Sequence, residues 1–122
     1  MGRTRLPATL GYGDSDSEER LICPVCSGTY LHQGEVQTFF RGEDEDQTKV
    51  TVSNFEYTQD ETISNDLTLN PSYRRHGLRI SFWCENCQGG KTDEEADNTP
   101  STVGDLCIYQ HKGETFVEWE LS

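Results

Sequence analysis

The sequence predicts an all-β domain, and three observations carry that expectation. In "GLRISFWC" (77–84) apolar and polar residues alternate, so Leu78, Ile80, Phe82 and Cys84 share one strand face while Arg79, Ser81 and Trp83 share the other. Aromatic and β-branched residues are gathered in short runs bounded by turn-forming residues, which is the composition of strands. No stretch repeats its apolar residues at helical spacing. The expected architecture is a small antiparallel sheet of four to six strands.

The length of 122 residues suits one domain. Only 32% of the residues are hydrophobic and the mean hydropathy is -0.77, so the core must be thin. Much of the polar excess sits in discrete runs: "GDSDSEER" (13–20), "GEDEDQT" (42–48), "TQDETISND" (58–66) and "KTDEEADNTPST" (91–102). This distribution predicts a flexible tail over residues 1–20 and a single domain over 21–122, with mobile loops near 58–76 and 88–104. A core so small commonly needs a staple, either a disulfide or a metal.

The strands follow in order. "GEVQTFFRG" (34–42) and "KVTVSNFEY" (49–57) read as a pair joined through a charged connection. Val36, Thr38 and Phe40 share one face of the first, and Val50 and Val52 one face of the second. Asn70-Pro71 marks a turn ahead of "GLRISFWC". Near the C-terminus "DLCIYQ" and "TFVEWEL" flank "HKGE", where Gly113 can supply the positive φ that a hairpin turn requires. Leu106 and Ile108 then face the core with Val117 and Trp119.

The cysteines carry the clearest chemistry. Cys23-Pro24-Val25-Cys26 and Cys84-Glu85-Asn86-Cys87 are two C-x-x-C pairs. A two-residue spacer lets both thiolates of one turn address one ion, and two such turns make the tetrahedral sulfur set that zinc favours. Gly28 and Gly89-Gly90 follow closely, where the chain leaving each turn can need positive φ. The predicted ligands are therefore Cys23, Cys26, Cys84 and Cys87, holding one structural Zn²⁺. The 57 residues between Cys26 and Cys84 exceed the spacing of a compact zinc finger, so several strands must leave the first turn and return to the second. A redox pair would sit at a helix N-terminus, and neither pair precedes a helical pattern. Cys107, inside "DLCIYQ", reads as a small buried hydrophobe. His32, His76 and His111 are scattered and read as structural or exposed.

Three segments, "CPVCSGTYLHQGEVQTFFR", "NPSYRRHGLRISFWCENC" and "LCIYQHKGETFVEWE", together resemble an uncharacterised family of short zinc-ribbon-like proteins with paired C-x-x-C turns, found in bacteria and their phages. The likeness covers roughly residues 22–120. It implies a zinc-ribbon-like β fold and a bacterial or phage setting, with no activity attached.

Charge shapes the partner expectations. With 22 acidic and 10 basic residues the net charge is -12, which opposes general affinity for nucleic acid. No apolar run approaches the roughly 20 residues needed to span a bilayer, and the start lacks the apolar segment of a secretory signal. A cytoplasmic monomer, in a host cell if the chain is phage-encoded, is expected. One candidate surface joins Arg74, Arg75, Arg79 and Trp83, since guanidinium groups beside an aromatic ring suit single-stranded nucleic acid or a nucleoprotein. The competing expectation is an acidic protein that binds and modulates a basic host protein, with complementary fields selecting the partner. No phosphate loop, H-E-x-x-H or nucleophile elbow is present, and four thiolates would close the zinc site to substrate, so no enzyme is expected.

Overall fold

Nine strands form among the described residues, and every pairing is antiparallel. In chain order they are β1 (Arg5–Pro7), β2 (Leu10–Tyr12), β3 (Glu19–Leu21), β4 (Leu31–Phe40), β5 (Gln47–Ser53), β6 (Thr58–Ser64), β7 (Gly77–Cys84), β8 (Thr102–His111) and β9 (Glu114–Leu121). The computed structural model describes residues 5–12, 19–42, 45–65, 68–73, 75–85 and 102–121. Seven strands make one sheet in the order β1-β9-β8-β7-β4-β5-β6, and β2 with β3 forms a separate ribbon.

The all-β expectation holds, with more strands than the four to six expected. The additional ones lack a pattern that could announce them. β1, β2 and β3 are three residues long, and β6 lies on a sheet edge with every residue but Ile63 exposed. Three strands thus lie within or overlap residues 1–20, the expected tail, and β6 occupies the start of the expected loop over 58–76. Residues 86–101, most of the expected loop over 88–104, lie outside the described residues.

Both faces of the sheet are covered, but in different places. On one face Phe82, Cys84, Leu106 and Trp119 are buried together with Cys23, and Leu6, Ala8 and Leu21 from the N-terminal segment pack against them. The Phe82 and Trp119 rings meet edge to face at 5.5 Å, a favoured aromatic arrangement. Register accounts for part of this cluster, because Leu106 pairs with both Ile80 and Trp119. The expected alignment of Leu106 and Ile108 with Trp119 and Val117 is present, although Val117 remains half exposed.

The opposite face buries Phe39, Thr48 and Val50 under the segment that connects β6 to β7. That segment is fixed by its own polar groups. Thr48 Oγ1 donates to Asn65 Oδ1 at 2.7 Å, Ser72 N to Asn70 Oδ1 at 3.0 Å, and Ser72 Oγ to the Gln110 carbonyl at 2.6 Å. Pro71 is fully buried, and a Cβ on Gly77 would meet its Cδ at 2.8 Å, so a side chain there would push the segment off the sheet. Val36, Thr38 and Phe40 share one face of β4, and Val50 and Val52 share one face of β5, as expected, but the two sets lie on opposite faces of the sheet. Phe39 is opposite Val50 and Gln37 opposite Val52, so Val36, Thr38 and Phe40 lie on the other face, and Phe40 is 54% exposed.

β8 and β9 join through a two-residue turn, tighter than the hairpin expected. Lys112 and Gly113 have φ of 51° and 81°, and His111 pairs with Glu114. Positive φ at both central positions matches the right-handed twist of the flanking strands.

Candidate metal centre

The first C-x-x-C pair sits in the turn between β3 and β4. Cys23 N donates to the Gly28 carbonyl at 2.8 Å, and Ser27 N to the Cys23 carbonyl at 3.0 Å, with Ser27 at a φ of 65°. The left-handed residue therefore falls on Ser27, one place ahead of the glycine. The turn aims an amide at sulfur: Val25 N donates to Cys23 Sγ at 3.4 Å.

Topology supplies the second half. β7 runs antiparallel to β4, with Leu31 opposite Cys84, and Glu85 N donates to the Tyr30 carbonyl at 3.1 Å. The end of β7 is thus held beside the turn that precedes β4. The 57 intervening residues are absorbed by β4, the β5–β6 hairpin and its return, so the wide spacing is what an antiparallel neighbour requires.

The Sγ atoms of Cys23, Cys26 and Cys84 all lie within 4.8 Å of one another, and those of Cys26 and Cys84 are 3.6 Å apart. A disulfide would bring sulfurs to roughly 2.05 Å, well short of the separation seen here. Metal–sulfur arms of about 2.3 Å set tetrahedrally place sulfurs about 3.8 Å apart. The spacing fits a shared ion and not a covalent bridge. Cys23 and Cys84 are buried, whereas Cys26 is exposed. This cluster of three could hold a metal ion. The fourth expected ligand, Cys87, lies outside the described residues.

Cys107 stands apart. It is fully buried opposite Arg79, on the sheet face away from Cys84, as its reading as a buried residue requires. Burial pushes its thiol up to about 11, with Arg79 pulling the other way and Glu120 and Asp105 adding to the rise.

Within the expected Arg/Trp surface, Arg79 is turned inward. Arg79 is buried, with its side chain 6% exposed; it donates to Asp105 Oδ2 at 3.1 Å, to Glu120 Oε2 at 2.8 Å and to the Leu69 carbonyl. It therefore cannot offer its guanidinium to a partner. Arg75 sits just before β7 and Trp83 near its end, and the six steps from Gly77 to Trp83 alone span roughly 20 Å at about 3.3 Å per residue. Arg74 lies outside the described residues. Trp83 instead stacks on His32, with ring centroids 4.0 Å apart and planes at 9°, and His32 Nε2 is 3.0 Å from Glu85 Oε1. Nothing local in the sequence marks that trio, because β4 and β7 meet only in the fold.

No helix among the described residues is long and apolar enough to cross a membrane. What fold and site define is a small all-β protein carrying a three-cysteine cluster able to bind metal. Comparison of the chain with protein-family models, with characterised proteins and with solved structures finds no match.

Proposed function

We propose that this protein is a non-enzymatic, zinc-stapled β module that works by binding a basic protein. Cys87, three residues beyond Cys84, completes the ligand set with Cys23, Cys26 and Cys84. The observation that carries the reading is the 3.6 Å separation of two thiol sulfurs from turns 57 residues apart, beside an amide directed at Cys23 Sγ. Four thiolates favour zinc over harder cations, and such a site stabilises the fold without an open position for chemistry. The resemblance to short zinc-ribbon-like proteins supports the same choice of metal. A basic partner is favoured over nucleic acid because the net charge is -12 and the internal ion pairs of Arg79 remove the centre of the basic surface.

Native mass spectrometry tests the metal. One zinc per chain is expected, lost in Cys84→Ser and Cys87→Ser and retained in Cys107→Ser, with chelation unfolding the protein. A zinc-free chain with unchanged near-ultraviolet circular dichroism would overturn the staple. Tight binding of single-stranded DNA at physiological salt would overturn the choice of partner.

A further inference from the structure

The β2–β3 ribbon does not pack down fully on the sheet, and a cavity of 640 Å³ lies between them. Its floor crosses four adjacent strands, from Val117 on β9 through Leu106 on β8 and Ile80 and Phe82 on β7 to Leu31 and Gln33 on β4. Three inter-strand steps of about 4.8 Å make that floor roughly 14 Å long. Leu10 and Leu21 of the ribbon form the opposing wall. The volume falls within the range of about 300–1,000 Å³ typical of small-molecule sites, which are mostly apolar with a few polar groups. Leu10 and Val117 at its margin are 59% and 47% exposed, apolar surface that a bound chain would cover.

The polar groups of the lining identify the occupant. Arg20, Thr29 and Gln33 are the polar residues there, and no described Asp or Glu contributes, although the chain holds 22 acids. An apolar trough with one arginine in its lining, inside a strongly acidic protein, complements a ligand with an apolar tail and a single negative head. Arg20 is already engaged within the protein, and the five N–H donors of a guanidinium leave capacity for a further carboxylate. We infer that the cavity binds a medium-chain fatty carboxylate, its tail lying across β7, β8 and β9 and its head between Arg20 and Gln33.

Isothermal titration of the full-length chain with dodecanoate, below its micellar concentration, tests this directly. Dodecanol and dodecyltrimethylammonium serve as head-group controls. Saturable one-to-one binding of dodecanoate is expected, at least tenfold tighter than the cation. Arg20→Gln should weaken dodecanoate about tenfold and leave dodecanol unchanged. Val117→Trp, at a half-exposed position that tolerates bulk, should abolish binding of both; Leu10→Trp gives the same readout should that variant misfold. Absence of saturable binding, equal affinity for the cation, or full binding by folded Val117→Trp and Leu10→Trp variants would each overturn the assignment.

Discussion

Replacing Arg79 with alanine should be among the most damaging single substitutions on β7. The guanidinium is buried and holds three acceptors: the Asp105 and Glu120 carboxylates and the Leu69 carbonyl. Without it Glu120, itself 7% exposed, loses its 2.8 Å ion pair, while Arg5, whose Nη2 is 3.5 Å away at the edge of the sheet, is more distant. Removing one member of a buried ion pair costs about 3–5 kcal/mol, because the other charge stays buried and poorly compensated. The Leu69 carbonyl also loses its donor, which loosens the segment above β7. For a domain of this size that loss corresponds to a fall in Tm of roughly 10–25 °C. Thermal unfolding followed by circular dichroism, at fixed zinc concentration, measures it. Arg79→Lys should fall between wild type and Arg79→Ala, since a lysine cannot reproduce the fork that reaches both carboxylates. Arg79→Met combined with Glu120→Met should be less damaging than Arg79→Ala, because no buried charge is stranded. A change below about 0.5 kcal/mol for Arg79→Ala is what an exposed surface arginine would give, and it would refute this placement.

Two further outcomes follow from groups described above. Cys107 should resist iodoacetamide at pH 8 in the folded protein and react once it is unfolded, as peptide mass mapping would show. Its folded-state thiol titrates near 11, against 9.0 for the unperturbed group. The folded protein therefore keeps a proton that the unfolded chain gives up, and stability should decline as pH rises from about 9 to about 11. That decline should flatten in Cys107→Ala; an identical pH profile in the variant would refute the assignment. Gly113→Ala meets no neighbouring atom within 4 Å, so its cost is confined to the backbone at a φ of +81°, about 1–2 kcal/mol by chemical denaturation. A neutral result would show that the turn can change type.

Legibility in the sequence followed the range of the interactions. The alternation in β7 and the turn at Lys112-Gly113 are local features, and both lead to the observed structure. The Cys23–Cys26 pair was legible for the same reason, since its turn is formed by adjacent residues. Phe39 and Phe40 are adjacent aromatics on opposite faces, and the choice between them rested on which region of the sheet the β6–β7 segment covers. That segment has no periodicity to read. Arg79 shares a strand face with Ser81, which suggested solvent, but its carboxylate partners lie 26 and 41 residues further on. The three-residue strands near the N-terminus gain their order from β9 and from each other, and so escaped a reading based on alternation.

The cysteine cluster also bears on the order in which the chain folds. Bringing Cys26 to Cys84 closes a loop of 57 residues, at an entropic cost of roughly 4 kcal/mol. An ion captured by Cys23, Cys26 and Cys84 in the unfolded chain would tie those ends together before any strand exists. Pairing can then zip from Leu31 and Cys84 toward Phe39 and Gly77, turning the slow non-local step into a local one. The metal-loaded chain should therefore refold faster than the metal-free chain, as well as being more stable once folded.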